Sequence, residues 1–190
     1  MRWIKHSRLE GQHAFLSASK HSWLNYTDDK LANSYYNFLA TQKGTKLHEI
    51  AKMLIEEKIY LPDEQRTFNM YVNDSIDANL RPEQHLYFSE NCFGTADAIG
   101  FDDRKGALRI HDLKTGVNPA SMDQLLIYAG LFFLEYDIPV RDIDTELRIY
   151  QNNDILIENP TLEDIVPVMD AIIHCDEIIE SIKKENSDEL

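Results

Sequence analysis

Apolar positions along this chain change their period near residue 80. Before that point they recur at three and four, the spacing of one helix face. Leu47, Ile50, Ala51, Leu54 and Ile55 predict an amphipathic helix over residues 41–60, ended by Pro62. Phe68, Tyr71, Val72 and Ile76 predict a second over 64–80. Further upstream, Leu16-Ser17-Ala18-Ser19 followed by Trp23-Leu24-Asn25 reads as a capped helical turn after a basic N-terminal arm. Beyond residue 84 the pattern becomes that of strands, over 85–89, 93–101 and 107–114, with Asp102-Asp103-Arg104-Lys105-Gly106 as the turn of a hairpin. Thr115-Gly116-Val117-Asn118-Pro119 breaks the third strand, and a helix is expected over 120–136. Two more strands follow at 146–150 and 154–157. Pro160-Thr161-Leu162-Glu163 then opens a last amphipathic helix with Thr161 as its N-cap. Helices, three strands, helix, two strands, helix: this order predicts an α/β fold, a mixed sheet flanked by helices.

Composition narrows the picture. At 190 residues and 43% apolar content the chain fits one globular domain over 1–190. The longest apolar stretch, about 125–134, is too short to cross a bilayer. No long apolar run follows Met1, so no signal peptide and no membrane association are expected, and a reducing cytoplasmic home is the simplest reading. The two cysteines, Cys92 and Cys175, lie far apart with no CxxC spacing, so neither a zinc knuckle nor a four-cysteine iron–sulfur cluster fits one chain.

The net charge of −14 argues against a polyanion partner, because phosphate neutralisation usually supplies much of nucleic-acid affinity. The charge is unevenly spread, however. Residues 1–50 hold seven Lys/Arg and four Asp/Glu, a net of +3, whereas 151–190 hold two Lys and eleven Asp/Glu, a net of −9. The first third can face a polyanion while the acidic strand–helix segment, 143–190, points away. Carboxylates that bind divalent cations also cease to count as repulsive charge.

The candidate chemistry begins at Asp112-Leu113-Lys114. Residues i and i+2 of a strand share a face, so a carboxylate and an ammonium project together while Leu113 enters the core. A surface ion pair on an exposed strand is the plain alternative. Asp97 lies among small and apolar neighbours in Gly94-Thr95-Ala96-Asp97-Ala98-Ile99, where an unpaired carboxylate is costly. The hairpin sets its strand beside that of Asp112, and two carboxylates on adjacent strands can share a hard divalent cation. A structural aspartate capping a turn is the alternative there. Gln124 and Tyr128, at i and i+4, present one helix face.

Four short motifs in order carry a resemblance. Gly44-Thr45-Lys46-Leu47-His48-Glu49, the Gly94–Asp97 stretch, Asp112-Leu113-Lys114-Thr115-Gly116 and Gln124…Tyr128 are similar to the GTxxH, GxxD, DxK and QxxxY motifs of RecB-like PD-(D/E)XK nucleases. The similarity covers about 43–136. It departs from the family pattern in having Ala96 where a proline often stands before the aspartate.

The resemblance implies a restriction-endonuclease-like core. It further implies Mg²⁺ or Mn²⁺ held by His48, Asp97, Asp112 and the main-chain carbonyl of Leu113. Asp97, Asp112, Lys114, Gln124 and Tyr128 form the implied catalytic set, with Lys114 orienting the attacking water and Gln124 and Tyr128 beside the reacting centre. Without that resemblance, His48 reads as an ordinary helix-face histidine. Glu90 is a weak further acidic candidate, and Lys43 and Lys46 can meet phosphates or simply be solvated.

The implied activity is hydrolysis of DNA phosphodiester bonds. The first expectation is an exonuclease of phage or mobile-element type, acting in the host cytoplasm if phage-encoded. A structure- or strand-selective endonuclease is the alternative, as is a non-catalytic module binding nucleic acid or protein on the same fold. A homo-oligomer, or a recombination or replication partner docked through the acidic C-terminal helix, is a further expectation; a plain amphipathic helix closing the core is the alternative.

Overall fold

The computed structural model describes residues 4–187, which fall into two compact units divided within a long helix after Lys46. That helix, α1, spans Asp28–Glu56 and starts 13 residues earlier than the apolar spacing predicts. Asp28 and Asp29 stand in its first turn, where carboxylates meet the unbonded amides and the positive end of the helix dipole. Its early turns carry few buried residues, which is why an amphipathic pattern fails to announce them.

In the first unit the expected helical turn forms as a 3-10 segment, Ala18–Asn25, kinked at Lys20. Ser17 precedes it without a side-chain cap and pairs with Ser19 instead, Oγ to Oγ at 2.8 Å. Phe15 packs edge-on against Tyr35, with ring centres 5.1 Å apart, and against Phe38 at 5.2 Å.

The second unit is an α/β layer structure. Its elements after α1 are α2 (Thr67–Asp77), β1 (Arg81–Ser89), β2 (Cys92–Asp102), β3 (Ala107–Leu113), α3 (Asp123–Tyr136), β4 (Asp144–Gln151), β5 (Asp154–Glu158) and α4 (Leu162–Ser187). The five strands lie in sequence order. All neighbours are antiparallel except β3 and β4, which are parallel. A parallel pair needs a crossover, and α3 supplies it. The mixed sheet flanked by helices is therefore present as expected.

Local chemistry fixes the connections. In the β2–β3 turn Asp102 Oδ1 accepts from the amides of Arg104 at 3.1 Å and Lys105 at 3.3 Å. Gly106 closes it at φ +58°, and a Cβ there would meet the Asp142 carbonyl oxygen at 2.9 Å. Before α4, Thr161 does act at the helix entrance, but its hydroxyl donates to Asp164 Oδ2 at 2.8 Å rather than capping an amide, and the same carboxylate takes the Thr161 N–H.

Side-chain alternation sends the sheet's apolar residues into two cores. Leu108, Ile110, Leu147 and Ile149 pack with Leu125, Ala129 and Phe133 of α3 and with Ile165 and Ile172 of α4. Leu113 and Tyr150, on the other face, pack with Ala51, Leu54 and Ile55 of α1 and Tyr71, Val72 and Ile76 of α2. Both faces are covered, and the α3 face of β3 and β4 is the more apolar of the two, since Arg109, His111, Glu146 and Arg148 lie between the apolar positions. No helix among the described residues is long and apolar enough to cross a membrane.

Candidate metal centre

The site lies where β1, β2 and β3 stop behaving as regular strands. The β2–β3 ladder pairs Ile99 with Ile110 and Ala98 with His111, and goes no further. The next rung would set Asp97 opposite Asp112. On the other side, Pro82 pairs with Ala98 and Gln84 with Ala96, skipping the rung that would join Glu83 to Asp97. Glu83 has a left-handed φ of +51°, a sparsely populated conformation for a residue with a Cβ. Ala96 and Ala98, two apart, would share a face in a regular strand, yet Ala96 packs in the α3 core and Ala98 in the α2 core. The pleat thus changes phase at Asp97. Three carboxylates, Glu83, Asp97 and Asp112, fall in a row across three strands at that break.

Hydrogen bonds that the ladder gives up are replaced by side chains. The Leu113 amide donates to Asp97 Oδ2 at 2.9 Å. From the end of α1 that belongs to the same unit, His48 brings Nδ1 to 3.4 Å from that oxygen. Potential ligand atoms of His48, Glu83 and Asp97 all lie within 4.8 Å of one another. Nitrogen and carboxylate oxygen at this spacing suit one divalent cation. The Asp97 carboxylate raises the His48 pKa by its contact, outweighing the effect of burial, and Glu83 and Asp112 add to the rise.

Asp112 stands beside this group and is 1% exposed. Lys114 Nζ lies 3.0 Å from Oδ1 and 2.9 Å from Oδ2, but only Oδ1 receives a well-directed hydrogen bond. Oδ2 is buried without a hydrogen-bond partner. Burial, and then the Asp97 charge, push this carboxyl well above the ordinary range despite Lys114. A buried oxygen served only by a poorly directed ammonium, in a site with three acids, is the chemistry a cation would satisfy.

Lys114 also donates to Gln124 Oε1 at 2.7 Å, and Gln124 Nε2 to the Tyr128 hydroxyl at 2.9 Å. A continuous chain therefore runs Tyr128–Gln124–Lys114–Asp112. Tyr128 explains the glycine at position 94: a Cβ there would sit 2.9 Å from its Cε1. The residues singled out by the sequence thus come together in two linked groups, His48 with Asp97 and Lys114 with Asp112, Gln124 and Tyr128. Leu113 joins them through its amide; its carbonyl was the atom expected to bind metal.

Glu83 is the addition. Its signal was a glutamate 14 residues before Asp97, close enough to oppose it once the strands pair, but Pro82 hides the strand it sits in. Glu90, the weak acidic candidate, lies in the β1–β2 turn and accepts from the Tyr87 hydroxyl at 3.3 Å, outside the group. Thr115 and Gly116 follow β3, and the Gly116 carbonyl accepts from Gln151 Nε2 at 2.7 Å.

A second polar cluster occupies the opposite face of β3 and β4. Asp74 Oδ2 accepts from Tyr150 OH at 2.8 Å and Arg148 Nη1 at 3.3 Å. Arg148 Nε meets Glu146 at 2.8 Å, and Arg109 Nη2 meets Asp144 at 2.6 Å. His111 Nδ1 is 3.3 Å from Ser75 Oγ, and burial, with Arg148 and Arg109 nearby, lowers its pKa to about 3, so the ring is neutral. Comparison with known proteins adds no assignment: no protein-family model matches the chain, and a search of curated proteins found no match to it.

Proposed function

We propose that the protein is a divalent-metal-dependent DNA nuclease of the PD-(D/E)XK type, with a restriction-endonuclease-like core. The single observation that carries this reading is the row Glu83, Asp97 and Asp112 at an interrupted sheet, with His48 at one side and Lys114 at the other. Hard oxygen donors and one imidazole fit Mg²⁺ or Mn²⁺, which His48, Glu83 and Asp97 would hold, with Asp112 beside them and the Leu113 carbonyl as the further donor that the resemblance implies. The cation would supply a Lewis acid and a bound water acidic enough to attack near neutral pH.

The chain's own groups do the rest. Lys114, anchored by Asp112 and Gln124, holds an ammonium ready to orient the attacking water and meet charge developing on the phosphate. Tyr128 fixes Gln124, and Gln124 fixes Lys114, so the ammonium is positioned before substrate arrives. Asp97 sets the imidazole of His48 and ties the end of β3 through the Leu113 amide.

Action on DNA ends, as in phage or mobile-element exonucleases, is the favoured mode; a structure- or strand-selective endonuclease is the alternative. Labelled linear and circular DNA, incubated with Mg²⁺, Mn²⁺ or EDTA, tests both. Metal-dependent cutting by the wild type that is lost in Lys114→Ala supports the nuclease, and digestion of linear DNA alone supports an exonuclease. No cutting of either form by folded protein with either metal would replace the enzyme by a binding module.

A further inference from the structure

Charge divides sharply at the boundary between the two units. Residues 1–46 hold seven Lys/Arg against three Asp/Glu, a net of +4; residues 47–190 hold twelve against thirty, a net of −18. The cations are also used differently. In the second unit six of the twelve, Arg66, Lys105, Arg109, Lys114, Arg148 and Lys183, each meet a carboxylate. In the first unit, none of the described Lys and Arg residues is in an ion pair with a described carboxylate, and all are exposed. Cations left without counter-charges in a strongly acidic protein are held ready for an external anion.

Aromatic rings are interleaved with them. Tyr36 is 68% exposed and Tyr35 45% exposed, the latter lining a groove with Phe15, Leu16, Leu31 and Ala32 and with Asp28 at one side. Lys30 Nζ lies 4.4 Å from the centre of the Tyr26 ring, an ammonium and a π-face in one place. On α1, Tyr36, Lys43 and Lys46 are spaced by seven and three, so one helix face offers a ring followed by two ammonium groups. Rings that stack on unpaired bases, alternating with cations that meet the backbone, are what a single strand requires. A duplex hides its bases from such rings, and an acidic protein surface would leave them unused.

We propose that the unit formed by residues 4–46 is a binding surface for single-stranded DNA, gripping the strand through Tyr36 and the unpaired Lys20, Lys43 and Lys46. The inference rests on the nuclease reading only for the identity of the polymer as DNA.

The test is anisotropy of a labelled 20-nucleotide oligothymidylate with the full chain in EDTA, where no cutting occurs, beside a 20-base-pair duplex. The expected result is tighter binding of the single strand. Tyr36→Ala should weaken it about 5-fold or more, the loss of about 1 kcal/mol or more for one stacked base. Lys20→Glu with Lys43→Glu and Lys46→Glu should weaken it further and flatten the log–log salt slope by about 2. Arg104→Glu with Arg141→Glu and Lys184→Glu, all exposed in the second unit, makes the same change in net charge and should leave binding nearly unchanged. Circular dichroism melting checks that each variant is folded.

Unaltered binding by folded Tyr36→Ala and triple variants would overturn the proposal, as would equal weakening by the second-unit control. A wild-type dimer that the triple variant dissociates, with strand binding unaltered, would also overturn it and give the surface to a second copy's acidic unit. Strand binding without cutting in Mn²⁺ would overturn the nuclease reading and leave this one standing. Cutting that survives with unaltered binding in the variants would do the reverse.

Discussion

The two faces of β3 carry polar clusters of opposite character. On the α2 side, Asp74, Asp144 and Glu146 are answered by Arg109, Arg148 and the Tyr150 hydroxyl. On the α3 side and at the strand's end, Glu83, Asp97 and Asp112 are answered by one ammonium and one imidazole. The first cluster sits where the ladder is regular, the second where it breaks. A matched cluster ties elements together; an unmatched one keeps acids close at a cost in stability, which a bound cation relieves. The comparison teaches that the same residue types can serve opposite ends, and that the local charge balance decides which.

Substitution should separate the two clusters. The largest effect is expected from Asp97→Asn, which keeps the acceptor for the Leu113 amide but removes the charge of a proposed ligand. DNA cleavage should fall by roughly 10²–10³, the loss seen when one group that stabilises transition-state charge is removed, while the melting temperature without metal holds or rises. Asp74→Ala should do the converse: a loss of about 2–3 kcal/mol in urea unfolding as charge-assisted bonds from Arg148 and Tyr150 disappear, with Mn²⁺ affinity by calorimetry unchanged. A fall in Mn²⁺ affinity in Asp74→Ala would erase the distinction.

Asp112 gives a test with a pH sign. Burial and Asp97 lift its pKa from 3.8 to about 6 in the folded, metal-free protein. Its folded pKa lies above its unfolded one, so its stabilising contribution is complete below about 4 and lost as pH rises through about 6. Asp112→Asn should therefore be roughly 2 kcal/mol more stable than the wild type at pH 8 and about equal to it at pH 4. Excess Mn²⁺ should reverse the ranking at pH 8. The smallest effect is reserved for Glu83→Gln, with Mn²⁺ affinity about 10-fold weaker and folding unaltered. No change in affinity would remove Glu83 from the ligand set.

The hairpin of β2 and β3 was legible because its turn is built from Asp102 to Gly106 and short apolar runs flank that turn on both sides. Asp112, Lys114, Gln124 and Tyr128 were legible because i, i+2 and i, i+4 spacings survive folding unchanged. Glu83 was not. Pro82 argues against a strand interior, yet β1 is an edge strand, where a missing amide is tolerated, so the strand begins at Arg81 rather than at 85. The early turns of α1 were hidden because Tyr36 and Leu39 face outward and blur the apolar stripe. The start of α3 shifts from 120 to Asp123 because the Ser121 hydroxyl binds the Asp123 carboxylate and amide and organises the entrance there.

The bond from the Leu113 amide to Asp97 Oδ2 gives this chain a built-in gauge. An amide held by a strand carbonyl reports on the sheet, whereas this one reports on a single carboxylate. In a ¹⁵N-labelled sample its resonance should move when Asp97 takes a cation, and should follow a metal titration while neighbouring core signals such as Ile110 stay in place. One peak in a two-dimensional spectrum then reads the occupancy of the centre, with no substrate added and no residue altered.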